Sequence, residues 1–499
     1  MTAIPAAFWL GAFMPVPPTG HSELWGVDGE RWAALGGPAS RLPDFSFAGY
    51  RGGERPPVDL PVAATVTDFG ARPGDGRDDT EAFRKAIAAI DRGVLQVPAG
   101  TFEILGQLRI SKSHIVLRGE GADGDRPTVL HFSKSPVELK ADWPNRQDRF
   151  ILFTADAGER ELARVTSAAK RGDQVLELDS AAGVAAGQVV MLVVGDDGRH
   201  SFWEHLHNGQ VRFDGQEHRE DLEWPVRIAA VDGNGITLGQ PLRFDVRRTW
   251  NPVLTTYTPV EEVGLERMQL RFAGTAGYSH DGDAMDGQGW KAVAFARVMN
   301  GWARDLVVEN AEDGISVLEG SKWVTVQDVV LRGYAGHHGL NAFHAFDSLF
   351  AGFHVQAAMA HELGVSTQAA GNVFMSGGDG DVARDEFNLD HHRRAPFENL
   401  FTDLRGRNIT TDSGGSSDAG PHSAARAVFW NVAPGEGFMV DDEWWGALQA
   451  TVVGTIHQSL GAATRSADGA WYEPAGAVAP PNLYLAQRAR RTGSGKNGS

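Results

Sequence analysis

Eight of the 17 histidines fall between His337 and His422 in a chain of 499 residues, and the run LDHHRRAPFENLF, residues 389–401, sets His391 and His392 directly against Arg393 and Arg394. Imidazole exchanges protons near neutral pH, and a guanidinium fork binds a carboxylate through two parallel hydrogen bonds. These are the groups that β-elimination at a uronic acid needs. A base must take the proton α to the carboxylate, a cation must hold that carboxylate as charge moves onto it, and an acid must protonate the departing oxygen. Read as plain surface, the same region is a salt-bridge patch, since residues 384–407 hold five arginines against five carboxylates.

Such groups act together only if the backbone stacks their segments. ARDLVVEN, VQDVVLRG and FAGFHVQ place Leu306, Val329 and Phe353 at equivalent points, 23 and 24 residues apart. A strand and a turn repeating in the low twenties is one coil of a parallel β-solenoid. LERMQLRF, GNVFMSG, ENLFTDL and ATVVGTI read as further rungs. Neighbouring coils lie roughly 4.8 Å apart, so residues one period apart form a line along the solenoid.

A step of 24 from Asp313 reaches His337 and then His361, and a step back reaches Gly289, beside Trp290. The next coil meets this line near residue 385, and a loop of about six residues brings DHHRR onto it. The candidate catalytic residues are therefore Asp313, His337, His338, His361, His391, His392 and Arg393. Arg394, Asp390, Trp290, Glu398 and His422 are the candidate substrate contacts. Each has a structural alternative: Asp313 closes a turn before Gly314, and one of His337 and His338 is a turn residue. His344 and His354 alternate with apolar residues and read as structural, and Pro396 biases Ala395 toward extended geometry.

The strongest fold signal lies upstream, in VTDFGARPGDGRDDTEAFRKAIAAI, residues 66–90. Glycine turns are followed by capping oxygens at Asp78, Asp79 and Thr80, then by an apolar helical stripe of Phe83, Ala86, Ile87 and Ile90. Asp68, Phe69, Gly70 and Ala71, then Gly74, Asp75 and Gly76, then Asp78, Asp79 and Thr80 resemble the N-terminal signature of the pectate lyase superfamily, with Pro73 as one extra loop residue. The resemblance implies an all-β, right-handed parallel β-helix with an N-terminal capping helix. It implies action on a polysaccharide, and it leaves the reaction open, because that fold carries lyases, polygalacturonases and tailspike depolymerases.

Glycoside hydrolysis is the rival chemistry and requires a pair of carboxylates. NAEDGISV and GHHGLN are similar to polygalacturonase motifs in the same order, but only Asp328 stands where an aspartate pair belongs. Asp313, Asp390, Glu398 and Asp412 remain carboxylates for another hydrolase. A non-catalytic saccharide-binding module is the third reading. No cofactor is called for, although Asp281, Asp283 and Asp286 offer calcium-type oxygens in an acidic turn. His205 and His207 form a His-x-His pair in a polar insertion loop, and Trp203, Trp224, Trp250, Trp290, Trp444 and Trp445 are stacking platforms or core.

The sequence divides into an N-terminal extension (1–61), cap and first coils (62–139), an inserted β-rich subdomain (140–258), the main β-helix with its groove (259–485) and a basic, disordered tail (486–499). A net charge of −18 repels nucleic acid and anionic membranes, so the expected partner is a polysaccharide or oligosaccharide, and the oligomeric state is open. Zero cysteines exclude disulfides and thiolate chemistry. The first twenty residues lack a basic segment before their apolar patch, which suggests a secreted or periplasmic protein whose leader has been removed.

Overall fold

The computed structural model describes residues 18, 20–141, 149–156, 158–209, 221–278, 287–380, 386–406, 408–412, 414–415, 422–433, 438, 449–454, 469–473 and 476–493. The acidic turn at Asp281, Asp283 and Asp286, Trp444 and Trp445, and the first seventeen residues lie outside them, as does the side chain of Asp412.

Two long sheets, of 14 and 8 strands, run the length of the molecule, and every strand pair in them is parallel. This is the all-β, right-handed parallel β-helix expected from the coil period and the cap signature. Leu306 pairs with Val329 and Val329 with Phe353, so the period read from the chain is the register of the large sheet. In-register stacking puts like residues above one another. Phe350, Phe374, Phe401 and Phe429 form a continuous column with ring centroids 4.4, 5.1 and 5.4 Å apart. Beside it, Asn372 donates to the side-chain oxygen of Asn399 at 3.0 Å and satisfies amide groups that the corner would otherwise strand.

The coils turn through left-handed residues that recur at the coil period, at Asp305, Asp328, Gly352, Ser376 and Asp403. Such corners suit short polar side chains and glycine, which reach this region at least steric cost.

The helix Thr80–Ala89 closes the N-terminal end with Phe83, Ala86 and Ile87 buried. Asp78 Oδ1 accepts from the Thr80 amide at 2.9 Å and the Leu105 amide at 3.3 Å, and Asp79 Oδ1 accepts from the Arg72 amide at 2.9 Å. These aspartates therefore fasten the cap to the first coils.

The insertion is a six-stranded antiparallel sheet running from Glu161–Arg164 to Val253–Thr256. The DGNG signal is its hairpin, with Asp232 opposite Gly235. Its start is later than residue 140, because Ile151–Thr154 pairs with Lys291–Ala296 in the smaller solenoid sheet. Apolar character alone did not separate a solenoid rung from an insertion strand. A buried ionic seam joins the insertion to the coils. Glu398 binds Arg171, Arg243 at 3.2 Å and Arg426 at 2.8 Å, while Asp347 binds Arg243 and holds Lys322 at 2.6 Å.

The expected disordered tail is also corrected. Leu483–Thr492 is a helix capped by the Asn482 side chain. Gln487 accepts from the Phe45 amide at 2.9 Å and donates to Pro43 O at 2.7 Å, and Arg491 donates to Ser46 O at 2.9 Å. Contacts with the N-terminal extension order the basic part of this segment, and residues 494–499 lie outside the described residues. Among the described residues, no helix is long and apolar enough to cross a membrane.

Candidate active site

The smaller sheet carries the site, and its strands are labelled here β1 Leu108–Ile110, β2 Ile151–Thr154, β3 Lys291–Ala296, β4 Asp313–Val317, β5 Gly336–Phe343, β6 Met359–Ser366, β7 Phe387–His392 and β8 Ile409–Asp412. Asp313 of β4 pairs with His338 of β5, and His338 with His361 of β6, at intervals of 25 and 23. The line foreseen from a uniform step of 24 therefore runs through His338, with His337 beside it. On the next coil Gly364 pairs with Asp390 and Ser366 with His392, so the DHHRR run does reach the same patch.

Four imidazoles meet there. Ring centroids are 4.0 Å apart for His337 and His338, 4.9 Å for His338 and His361, 4.8 Å for His361 and His392, and 5.6 Å for His338 and His392. Asp390 lies beneath them with no exposed surface, and its Oδ2 is 3.0 Å from Nδ1 of both His361 and His392. Its Oδ1 accepts from the Gly414 amide at 2.8 Å. Gly414 fits for a steric reason, since a Cβ there would lie 2.5 Å from Asp390 Oδ1 and His392 Nδ1.

Burial opposes ionisation of Asp390, but the facing His361 and His392 rings and the Gly414 amide outweigh it and hold the carboxyl below its ordinary range. His338 is shifted well below the usual imidazole value by burial, with His337, His361, His392 and Arg149 adding to the effect. Arg149 lies 3.1 Å from Asp313 Oδ2, and Asp313 Oδ1 accepts from the His338 amide at 3.3 Å and lies 3.9 Å from His337 Nδ1. His337 has 30% of its side chain exposed and His392 17%.

Arg393 and Arg394 follow at the corner. Arg393, Arg394 and Ala395 all have positive φ, of 57°, 58° and 56°, so Ala395 is not extended as Pro396 led us to expect. The tight corner overrides the local preference, and the Arg393 and Arg394 carbonyls are fixed by the Thr367 and Gln368 amides at 3.1 and 2.8 Å. The Arg393 side chain runs along the backbone of Gly415.

Several expected site residues stand elsewhere. His391 alternates with Asp390 and His392 and so points into the core, 5.7 Å from the Phe401 ring and 6.2 Å from Phe429. Trp290 is core as well, stacked 6.2 Å from Phe150 and edge-on to Phe272. Glu398 belongs to the ionic seam. His422 is buried. His344 is half-buried, its ring edge-on to Phe346 at 5.7 Å between centroids. His205 lies on the helix Ser201–Leu206, where its Nε2 accepts from the Asp245 amide at 3.0 Å, and Trp203, Trp224 and Trp250 fill the insertion core. Sequence reasoning missed Arg149 and Gly414. Arg149 precedes the rung FILFT, and recognising that rung as solenoid would have brought it into view.

No protein-family profile and no curated protein sequence matches the chain. Solved structures do. The tailspike gp61 of Pseudomonas phage phi297 is 12% identical over 78% of this chain, with a TM-score of 0.45. The tailspike protein gp49 of Pseudomonas phage LKA1 is 10% identical over 78%, at 0.43. An exopolygalacturonase from Thermotoga maritima is 11% identical over 80% of this chain and 88% of its own, at 0.36. The chain spans 63% of the length of each tailspike. Likeness this distant carries no statement about activity.

His391 gives a pH signature of its own. Burial pushes its imidazole down to about 3, so the folded ring stays neutral where an unfolded one, near 6.5, takes a proton. Between those values the unfolded chain binds the additional proton, and stability is lost as the pH is lowered, by up to about 1.4 kcal/mol per unit from this ring. In His391→Leu the acid limb of the stability curve is expected to flatten between about pH 6.5 and 4. Urea midpoints measured across that range check this, and an unchanged slope refutes it.

Proposed function

We propose that the protein is a secreted polysaccharide lyase that cleaves a uronate-containing chain by β-elimination. The observation supporting this reading is the buried Asp390 carboxylate set between two imidazoles at 3.0 Å, in a cluster whose outer rings, His337 and His392, are partly exposed. A carboxylate behind an imidazole fixes its tautomer and stabilises its protonated form, as proton transfer requires. One outer ring removes the proton α to the uronate carboxylate, the electron pair forms the new double bond, and the glycosidic C–O bond breaks as the other ring protonates its oxygen. Arg393, beside the cluster, is the carboxylate clamp.

Hydrolysis fits this site less well. Asp390 has both oxygens engaged and no exposed surface, Asp313 is paired with Arg149, and Glu398 is held by three arginines. None of these three is presented as half of an open carboxylate pair. Incubation with a panel of uronate polymers, followed at about 235 nm where the unsaturated product absorbs, tests the proposal. New reducing ends without that absorbance support hydrolysis, and saccharide binding with neither signal supports a binding module.

A further inference from the structure

The four-ring cluster has more nitrogen donors than proton transfer uses, and with Asp390 they fall into two overlapping sets. Two trios of donor atoms, His337, His338 and His361 and then His361, Asp390 and His392, lie within 4.8 Å of one another and share His361. A zinc-type ion binds imidazole nitrogen at about 2.0–2.1 Å, which sets ligand atoms about 3.3 Å apart and the centroids of two ligating rings about 5 Å apart in a tetrahedral site. The rings of His338, His361 and His392 are 4.8–5.6 Å apart, and Asp390 Oδ2 is 3.0 Å from both His361 and His392. His337 and His338, at 4.0 Å, are too close to serve as two ligands of that ion in this arrangement.

Two further observations agree. The Nδ1 of His338 is buried and has no hydrogen-bond partner among the described residues. An unsatisfied buried nitrogen carries a free-energy cost that a metal–nitrogen bond removes. Asp390 is oriented by the Gly414 amide on Oδ1, which leaves Oδ2 turned toward the rings.

We propose that His361, His392 and Asp390 bind one divalent first-row transition ion, of which zinc is the type, and that His338, whose ring centroid lies 4.9 and 5.6 Å from those of His361 and His392, turns to complete the set. A nitrogen-rich, four-donor set is wrong for calcium, which takes six to eight oxygens. With the ion in place His392 is a ligand, and His337 is the ring left to exchange protons with a substrate. The proposal rests on donor geometry and does not require the elimination reading, and the bound ion takes His392 and Asp390 out of the acid–base roles that reading gives them.

The test uses the full chain freed of metal with a chelator and titrated calorimetrically with zinc chloride, no saccharide being present. One equivalent is expected to bind with a Kd of about 1 μM or tighter. His361→Ala and His392→Ala should each weaken binding at least about 100-fold with the circular dichroism spectrum retained, and His354→Ala should bind as the parent does. Calcium chloride should give no comparable heat. Absence of zinc binding by the folded parent, or parent-like binding by both ligand variants, overturns the proposal. If one variant fails to fold, the other decides. Zinc binding without absorbance on any uronate polymer discards the elimination reading and leaves the metal site standing.

Discussion

Asp390→Asn is expected to lower turnover on a cleaved uronate polymer by at least about 100-fold, the scale of a lost general acid–base contribution, with the fold retained. The substitution keeps the shape and the oxygen that accepts from the Gly414 amide at 2.8 Å. It removes the negative charge that faces both His361 and His392 at 3.0 Å. With its oxygen on the Gly414 amide, the side-chain NH2 takes the place of Oδ2, presents N–H to both ring nitrogens and cannot stabilise an imidazolium. The loss should appear in kcat rather than in KM, because Asp390 has no surface with which to touch substrate. Initial rates together with a thermal melt check this. A rate within threefold of the parent, in a protein that melts normally, would remove Asp390 from the chemistry.

Glu398→Ala is expected to destabilise the protein by about 3–5 kcal/mol without a direct effect on the histidine cluster, the scale for removing one partner of a buried ion network. Its carboxylate has almost no exposure and is shared by Arg171, Arg243 and Arg426, from the insertion and from a later coil. Burial lowers the Arg171 guanidinium to about 10 despite the attraction of Glu398, and it lowers the neighbouring Lys322 ammonium to about 8 despite Asp347. Those cations are therefore tolerated only while their carboxylates remain. Urea unfolding measures the change. A loss below about 1 kcal/mol would mean that water reaches the seam and solvates the arginines.

These two residues show where the chain is legible. In the sequence both are carboxylates in the same charged stretch, eight residues apart, and both were assigned to the groove. In the fold Asp390 is at the histidines and Glu398 at the seam with the insertion. The intervening corner, with its three left-handed residues, turns the chain from one face of the solenoid to another. Corner geometry of this kind depends on contacts with the neighbouring coils, such as those of Thr367 and Gln368, and local propensity pointed the other way at Ala395.

The sequence by itself determined the solenoid, its capping helix, the antiparallel insertion and the convergence of β4 to β7 on one patch. Parallel in-register strands impose the same demand on side chains at every coil, and that demand leaves a period in the chain. Only the tertiary structure decided the phase within that period, because real coils differ by a residue or more and each strand alternates its faces. The difference made His338 rather than His337 the partner of Asp313, turned His391 and Trp290 into the core, and brought Arg149 and Gly414 to the site. It also assembled four imidazoles in one cluster, two of them against the Asp390 carboxylate, since that cluster depends on distances between coils that spacing along the chain does not encode.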